Sequence, residues 1–399
     1  MKPLINAIEA QKRIHAKLPR AAVIGCPLDK CAGRILRQTV HADRPMPPFD
    51  RSMMDGYALR AAEAQTGATF TVTGTAPAGS SQIQLAKETS VCAEVMTGAI
   101  LPEGADCVIP YEDTERINTQ TIRITDPEPI QPGDFVHLEG SDVAEGATLL
   151  NPGTLLGSRE IAAAASCGYT TLQVSKIPSI AIACSGDELV EVDQAPALHQ
   201  IRRSNDYSVE TALARAGLHA DQRSHLPDER PLAEARLTDL IQNNDVVILS
   251  GGISKGNRDF IPELLDQLGL ECQFHGVAQR PGKPMGFWSN DKTAVFALPG
   301  NPLSTLTATH HYIIPSIREA MGLQDPPAPA KVTLTASEKV PAKLTVFLPV
   351  THEDNHQAAP CPAQNSGDLV RILQSDGYVE IPAGAAAEAG LQYSFYPWH

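Results

Sequence analysis

The residues best suited to chemistry lie in four turns, and each turn follows a short apolar segment. The turns contain Ser185, Gly186, Asp187 and Glu188 after 180–184; Ser250, Gly251, Gly252 and then Asp259 after 246–249; Arg280 and Lys283 after 272–277; and Pro299 and Pro302 after 294–298. Glycines let backbone N–H groups approach a ligand, and basic side chains attract an anion. Together with the carboxylates they favour a phosphate-bearing ligand held with Mg2+, which usually takes one or two carboxylates and shares phosphate oxygens.

Each turn also has an ordinary structural explanation. Asp259 would serve as the N-cap of the next helix, and Asn301 before Pro302 has the order of a usual helix start. The acidic pair of the first turn would cap a short helix, and the basic pair of the third would be solvated surface charges. Their convergence nevertheless favours a site, because ligands bind beyond the carboxyl ends of the strands in an open α/β sheet.

Three familiar motifs are excluded. Residues 276–283 have five residues between the glycines and end in Lys-Pro, so they do not match the P-loop pattern G-x-x-x-x-G-K-[ST]. Gly251 and Gly252 do not form the G-x-G-x-x-G fingerprint of dinucleotide binding, and no G-x-S-x-G follows a predicted strand. The chain is therefore predicted to be neither a P-loop NTPase nor a Rossmann dehydrogenase, and to have no serine nucleophile elbow.

The segment from 179 to about 321 alternates short apolar runs with helical patterns. The predicted strands span 180–184, 219–225, 246–249, 272–277 and 294–298. The predicted helices span 207–216, 232–243, 260–268 and 303–321. Because the strands are mostly apolar on both faces, this alternation predicts a doubly wound α/β sheet covered by helices.

Outside this segment the sequence pattern is different. The whole chain of 399 residues is long enough for about two to four domains. Apolar spacing over 4–18 predicts an amphipathic helix, and 159–166 predicts a second helix before a strand at 171–174. Alternation between turn signals over 66–151 predicts short antiparallel strands in a β-rich module. A proline-rich joint at 325–329 precedes a β-patterned tail.

Composition limits the possible partners. Against 32 Lys and Arg stand 46 Asp and Glu, a net charge of -14, which argues against a broad basic face for duplex nucleic acid. The eight cysteines include no C-x-x-C pair, so we expect reduced thiols rather than a zinc ribbon or disulfide framework. Neither a signal-peptide core nor a membrane span of about 18 apolar residues is found. A cytoplasmic protein without a membrane or nucleic-acid partner is predicted.

Seven motifs stand out along the chain. They are Pro-Phe-Asp-Arg-Ser-Met-Met-Asp-Gly-Tyr-Ala (48–58), Met-Thr-Gly-Ala (96–99), Leu-Pro-Glu-Gly-Ala-Asp (101–106), Ser-Gly-Asp-Glu-Leu (185–189), Ser-Gly-Gly-Ile-Ser (250–254), Pro-Gly-Lys-Pro (281–284) and Leu-Pro-Gly-Asn-Pro (298–302). In type and order they resemble the motifs of the MoeA/gephyrin E-domain family, the molybdopterin molybdenumtransferases. The resemblance runs from about residue 45 to 322.

The resemblance implies an α/β multidomain fold and an elongated homodimer. Domain I combines 1–24 with 140–176; domain II is β-rich and spans 25–139, with boundaries interleaved near 45–55; domain III spans 177–325; and domain IV is a C-terminal β domain at 326–399. Domain III would resemble the molybdopterin adenylyltransferase fold. The active site would lie between domain III of one subunit and the domain I and II region of its partner.

The resemblance also implies an activity. Members of the family take adenylylated molybdopterin, bind molybdate, insert the metal at the dithiolene and release AMP in a reaction that requires Mg2+. Molybdopterin adenylyltransferase and other proteins of the cofactor pathway are the partners it implies.

Roles carry over to the positions that match the family motifs. The implied catalytic residues are Asp55, Asp142, Glu188, Asp259 and Lys283. The implied substrate-binding residues are Thr97, Ser185, Gly186, Asp228, Ser250, Gly251, Gly252, Arg280, Pro299 and Pro302. Chemistry compatible with Mg2+ points to Asp187, Glu188 and Asp259 as metal ligands. For Asp55 the local alternative is a turn carboxylate before Gly56.

The chain departs from the family pattern at several charged positions. An Arg-x-Arg-Gly-Glu-Asp stretch is replaced by residues 137–142, which begin with His137 and contain Glu139. Arg203 replaces an acidic residue, and Lys255 and Asn257 occupy the variable end of the Ser-Gly-Gly motif. Two alternatives therefore stay open: a divergent paralogue that binds the nucleotide or another oxyanion such as tungstate with weak or no turnover, and a scaffold that presents a peptide groove.

Overall fold

The computed structural model describes residues 3–125, 129–253, 260–353 and 356–398. The chain forms two compact units. The first contains Met1–Gln38, Pro152–Ile161 and Thr171–His399, and the second contains Thr39–Asn151 and Ala162–Thr170. Within the described ranges, no helix is long and apolar enough to cross a membrane.

The first unit contains a six-stranded α/β sheet. Its strands are β1 (Ile180–Ser185), β2 (Gln222–Leu226), β3 (Val246–Ser250), β4 (Glu271–His275), β5 (Gly286–Ser289) and β6 (Ala294–Leu298). Their order is β2-β1-β3-β6-β5-β4. The strand β5 is antiparallel to both of its neighbours, so the other five strands share one direction. The predicted sheet is confirmed, although β5 was not predicted, because Pro284 and Gly286 interrupt the apolar run that would have indicated it.

Helices cover both faces of this sheet. Alternate residues of β1 lie in different cores: Ile180 and Ile182 pack in one apolar cluster, and Ala181 and Ala183 pack in another. The helices of this region are Asn205–Arg215, Arg230–Asn243, Ile261–Gln267, Pro302–Ala308 and Ile314–Ala320. The N-terminal helix Ala7–Lys17 joins the first cluster through Ala7, Ala10 and Ile14. It begins at Ala7 because the Asn6 side chain accepts the Glu9 backbone N–H at 2.8 Å.

The last long helix is interrupted. Between Pro302–Ala308 and Ile314–Ala320 lies a π-helical turn at Thr309–Ile313, where one continuous helix was predicted. Pro315 has no N–H to donate to the carbonyl four residues earlier, which accounts for the irregular turn. The turn places His311 among Tyr312, Phe347, Tyr378 and Tyr396. Burial lowers the pKa of His311 to about 4, so this contact with the C-terminal domain is made by a neutral ring.

The C-terminal domain is a closed β structure. Its strands are Ala330–Leu334, Thr345–Glu353, Gln357–Pro360, Gly377–Ile381 and Gln392–Pro397, with one helix at Leu369–Gln374. Each strand pairs with two others of this set, so the sheet closes on itself. A further short strand, Gln279–Arg280, pairs in parallel with Thr345–Val346. This pairing joins the turn after β4 to the C-terminal domain.

The chain also forms two short β ladders and one further helix. Val23–Pro27 pairs with Thr171–Ser175, and Leu189–Val190 pairs with Ile201–Arg202. The helix Ser158–Ser166 matches the predicted 159–166. All eight cysteines lie within the described ranges as thiols, and seven of them are buried.

The second unit is β-rich, as the alternation predicted. Its main sheet contains Gly56–Leu59, Thr69–Ala76, Val91–Val95, Cys107–Pro110, Thr114–Asn118 and Thr121–Ile124. Two short ladders pair Arg51–Ser52 with Val136–His137, and Val40–His41 with Thr148–Leu150. All six main strands pair antiparallel with a neighbour, and Thr69–Ala76 also pairs in parallel with Val91–Val95.

Gly56 is required by the approach of two strands in this sheet. A Cβ at Gly56 would lie 2.0 Å from the Ile109 carbonyl oxygen, which belongs to the backbone and cannot turn aside. The glycine of the Met-Asp-Gly-Tyr-Ala motif is therefore needed for packing, and it places Asp55 at the start of the strand.

We predict that Gly56→Ala destabilises the protein by about 1 to 3 kcal/mol, because the added methyl group overlaps a backbone carbonyl. The measurement is urea unfolding followed by circular dichroism. The matched control is Gly74→Ala in the same sheet, where a Cβ would meet only the Ile83 side chain at 3.4 Å. Equal unfolding midpoints for the two variants would refute the steric explanation.

Candidate active site

The turn after β1 brings the first pair of carboxylates to the edge of the sheet. Gly186 has a φ of 135°, and a Cβ there would lie 2.3 Å from a carboxylate oxygen of Glu188. The Glu188 carboxylate therefore lies directly over the turn, and the positive φ favours glycine there. Glu188 is exposed, and among the described residues its carboxylate makes no hydrogen bond or ion pair.

The end of β2 supports this turn. The Gly186 backbone N–H donates to the Leu226 carbonyl at 3.3 Å, and His225 Nε2 lies 2.8 Å from the Gly186 carbonyl oxygen. The Asp228 backbone N–H donates to Asp187 Oδ1 at 3.0 Å. Asp187 and Asp228 are thus brought together, but Asp187 uses one carboxylate oxygen to fix the turn. Sequence reasoning missed His225, which carries no motif signal.

The turn after β3 packs tightly against the turn after β1. A Cβ at Gly251 would lie 2.6 Å from the Ser185 carbonyl oxygen, and one at Gly252 would lie 2.4 Å from Ile261 Cδ1. Both glycines have positive φ values, 98° and 67°. Glycine at 251 is therefore explained by the close approach of two backbones, and glycine at 252 by its positive φ and the contact with Ile261; the Gly251 N–H donates to the Leu298 carbonyl at 2.9 Å.

Asn205 links two of the predicted turns. Its Nδ2 donates to Ser250 Oγ at 2.9 Å and to the Gly300 carbonyl at 2.8 Å. Ser250 is buried, and its Oγ also lies 3.4 Å from Thr305 Oγ1. Ser250 therefore helps to hold the loop after β6 in place through its contacts with Asn205 and Thr305. One sequence feature pointed to Asn205 as a functional residue. It lies two residues after Arg203, where the chain departs from the family pattern.

Arg203 has a structural explanation. Its Nε lies 3.0 Å from Asp206 Oδ2, and its Nη2 lies 3.2 Å from Glu191 Oε2. Asp206 is completely buried, so an unpaired carboxylate there would be strongly unfavourable. The cation that departs from the family pattern neutralises this carboxylate at the start of the helix that carries Asn205.

A cavity of about 660 Å³ lies between this sheet edge and the C-terminal domain. The predicted residues Glu188, Arg280, Lys283 and Pro299 line it. Pro302 does not; it lies at the first turn of the helix that follows. Lining residues that sequence reasoning missed are Asn301, Glu338, Lys339, Asn365 and Ser366. The last four lie in a tail without motifs, and only the folded chain brings them to the strand ends.

The cavity is locally positive in an acidic chain. Among the described residues, its lining contains the cations Arg280, Lys283 and Lys339 and the carboxylates Glu188 and Glu338. Arg280 and Lys283 are both exposed. Gly282 between them has a φ of 86°, and a Cβ there would lie 2.9 Å from Gln279 Nε2, so the turn that presents both cations requires glycine.

Asp259, Lys255 and Asn257 lie outside the described residues. Their predicted roles therefore stay predictions. Among the residues that are described, no group of three or more His, Cys, Asp or Glu side chains is arranged to hold a metal ion.

The remaining predicted residues lie in the second unit. Asp55 Oδ1 accepts hydrogen bonds from the Thr97 backbone N–H at 2.6 Å and from Thr97 Oγ1 at 2.8 Å. These bonds, the backbone one first, lower the pKa of the exposed Asp55 carboxyl. The motif residues Asp55 and Thr97 therefore form one contact, and the carboxylate keeps its charge.

Asp142 lies in a second contact of this unit. His137 Nε2 is 3.0 Å from Asp142 Oδ1, and His137 Nδ1 is 3.1 Å from Arg51 Nη2. Residues 51–53 lie between two neighbouring segments. Ser52 exchanges backbone hydrogen bonds with residues 98 and 99, and the Met53 N–H donates to the Phe135 carbonyl. The Asp55 and Asp142 contacts are therefore on adjoining parts of one backbone framework.

Known proteins match the chain along its whole length. The family description "MoeA N-terminal region (domain I and II)" matches residues 5–168, "Probable molybdopterin binding domain" matches 181–319, and "MoeA C-terminal region (domain IV)" matches 331–398. A Synechocystis sp. protein named molybdopterin molybdenumtransferase is 38% identical over 99% of this chain and 100% of its own length. A protein of the same name from Nostoc sp. is 30% identical over 88% of this chain and 83% of its own.

A solved structure agrees. The MoeA protein of Pyrococcus horikoshii matches with a TM-score of 0.83 at 25% identity, covering 99% of this chain and 100% of that one. The fold and the motif-bearing strand ends thus define an enzyme of molybdenum cofactor biosynthesis. The chain belongs to the MoeA family, the molybdopterin molybdenumtransferases.

We predict that Thr97→Val raises the pKa of Asp55 part of the way towards its ordinary value, because the hydroxyl bond is lost while the backbone bond remains. A carboxyl NMR titration measures this change. Thr97→Ser keeps the hydroxyl and should keep the low pKa. Since the folded-state pKa is lowered, the bonds stabilise the fold above the ordinary pKa of Asp, and that contribution is lost as the pH falls through the lowered value. An unchanged pKa in Thr97→Val would contradict the role of the hydroxyl.

Proposed function

We propose that the enzyme inserts molybdate into adenylylated molybdopterin and releases AMP in a Mg2+-dependent reaction. The observation that carries the proposal is the convergence of two carboxylates, Glu188 and Glu338, and three cations in a single cavity at the carboxyl edge of the sheet. Such a cavity suits a substrate with a pyrophosphate and an incoming oxyanion, because both carry negative charge that the rest of an acidic protein would repel. The curated relatives named molybdopterin molybdenumtransferase support the same reaction class.

The cations would act on the phosphate and the oxyanion. Arg280 and Lys283 project from the turn after β4, and Lys339 lines the cavity from the C-terminal domain. Fixed positive charges of this kind stabilise negative charge as it develops during phosphate cleavage. Lys339 and Ser366 extend the proposed substrate site beyond the family motifs, into the C-terminal domain.

The donor set fits Mg2+ shared with a ligand. Glu188 offers an exposed carboxylate without a described partner, and Mg2+ commonly takes only one or two carboxylates and completes its shell with phosphate oxygens and water. Glu188 would hold the ion, with Asp259 as the proposed second ligand, and Asp187 would contribute only through the oxygen that does not accept the Asp228 N–H. When bound, Mg2+ would neutralise pyrophosphate charge.

The remaining proposed residues lie in the second unit. Asp55, Thr97 and Asp142 keep their proposed roles in catalysis and substrate binding, and the contacts of Asp55 and Asp142 hold both carboxylates in defined positions. Ser185, Gly186, Ser250, Gly251 and Gly252 keep their proposed roles in substrate binding. The N–H groups of Gly186 and Gly251 already donate to the Leu226 and Leu298 carbonyls, so these two glycines would contribute by letting the substrate approach the backbone.

Assembly and partners are also proposed. We propose a homodimer because the resemblance to the family implies one, and such a contact would cover apolar side chains such as Leu4 and Ile8, which are 44% and 65% exposed. A molybdopterin adenylyltransferase would deliver the substrate in the cytoplasm. Light scattering of the purified protein tests the dimer directly.

The first experiment measures AMP. We predict that AMP is released from adenylylated molybdopterin only when molybdate and Mg2+ are both present. Glu188→Gln should lower this rate by about a hundredfold or more, because a charged group at the reacting phosphate is replaced by a neutral one of the same shape. Unfolding curves of both proteins provide the control for folding. AMP release without molybdate, or with tungstate alone, would overturn the proposal.

A second experiment tests the cavity. We predict that Lys339→Met raises the KM for the substrate or for molybdate by about tenfold, because a charge-assisted contact is lost while the apolar part of the side chain remains. The matched control is Lys343→Met, an exposed lysine of the same domain that does not line the cavity. If the two variants have the same KM, the C-terminal domain does not contribute to substrate binding.

A further inference from the structure

Arg51, His137 and Asp142 form a continuous chain of contacts in the second unit. Arg51 Nη2 lies 3.1 Å from His137 Nδ1, and His137 Nε2 lies 3.0 Å from Asp142 Oδ1. Arg51 and His137 are direct cross-strand partners in an antiparallel ladder. Their side chains therefore project from neighbouring positions on the same face, and the contact follows from the backbone register.

The chemistry of the three groups fixes the proton on the imidazole. A guanidinium can only donate hydrogen bonds, so His137 Nδ1 must present its lone pair to Arg51. The ring proton is then on Nε2, which donates to the Asp142 carboxylate. An imidazolium would turn an N–H towards the guanidinium, so the geometry matches the neutral ring.

We propose that His137 is a positioning residue whose tautomer is fixed by Arg51 and which in turn orients the Asp142 carboxylate. The functional consequence rests on the proposed role of Asp142 in catalysis. The tautomer itself depends only on the contacts in this chain.

The backbone of Asp142 is already held in place, so only its side chain remains to be oriented. The Asp142 backbone N–H already donates to the Met46 carbonyl at 2.9 Å, and Gly140 gives the loop its turn with a φ of 69°. The Asp142 side chain is 56% exposed and that of His137 is 27% exposed. A contact this exposed adds little stability. Its effect is to select one orientation of the carboxylate.

Nitrogen NMR of protein labelled with 15N-histidine reads the tautomer directly. We expect His137 to have a protonated Nε2 and an acceptor-type Nδ1 at neutral pH, with the signal assigned by its loss in His137→Asn. Arg51→Gln removes the guanidinium and should shift the Nδ1 signal, because that nitrogen loses its charged donor while Nε2 keeps its contact with Asp142. A mixture or an Nδ1–H form in the unchanged protein, or no response to Arg51→Gln, would overturn the proposal.

Activity provides the second test. His137→Asn keeps an acceptor near Arg51 but cannot reach Asp142, so it should lower kcat/KM for AMP release by about tenfold, and Arg51→Gln should lower it in the same direction. In the Arg51→Gln background, His137→Arg should restore most of the activity, because the new guanidinium donates to Asp142 directly. Loss without this rescue would mean that orientation of Asp142 is not the cause.

A control variant tests whether the effects are specific to the contacts of His137, and the two readouts can be interpreted separately. Arg123→Gln removes an arginine of the same unit that pairs with Glu115 at 3.1 Å, and it should change neither the His137 signal nor the rate. If the unchanged protein releases no AMP, the proposed reaction fails. The NMR result still decides whether Arg51 fixes the His137 tautomer.

Discussion

The candidate site depends on one constraint, the lack of room between the turns that leave neighbouring parallel strands. Such strands lie about 4.8 Å apart, so their exits must pass in contact. A Cβ at Gly251 would lie 2.6 Å from the Ser185 carbonyl oxygen, whereas one at Gly300 would make an ordinary contact 3.6 Å from the Gly251 Cα. Glycine at position 251 is therefore imposed by the sheet. The polar groups that this crowding brings together are satisfied by Asn205 and His225, which fix the turns in place.

The sequence predicted the parts of this arrangement that local pattern controls. Apolar runs located four of the parallel strands of the sheet to within a few residues, and the turns after them were identified as the site because parallel strands expose their carboxyl ends together. Strand β5 was missed because it is short and begins at Gly286 after a proline. The positions of Lys339 and Ser366 in the cavity could not be predicted, since they depend on contacts between distant parts of the chain. Gln279–Arg280 pairs with Thr345–Val346, and the Leu303 N–H donates to the Ser366 carbonyl at 3.1 Å.

Charge in this protein is organised locally. The net charge of -14 gives no indication of an anion site, yet Arg280, Lys283 and Lys339 line one cavity. A few fixed cations in a cleft outweigh distant surface carboxylates, because salt screens interactions beyond about 8 Å under physiological conditions. The acidic composition therefore restricts where an oxyanion can bind without preventing it. Composition excluded a broad basic face, and the fold determines where the remaining positive charge is concentrated.

The departures from the family pattern also follow from local partners. Arg203 stands where an acidic residue is usual, but it pairs with the buried Asp206, so its charge is used within the helix start. Position 137 has lost an arginine, but Arg51 lies directly across the ladder and reaches His137 at 3.1 Å. In both places the altered residue has a partner whose charge or hydrogen-bonding capacity matches it. A comparison of single motif positions records only that the usual family residue is absent. It does not show that the residue in its place contacts a partner elsewhere in the folded chain. The two substitutions are thus weak grounds for an inactive paralogue, and the case for one depends on Glu139 and on residues 255–259.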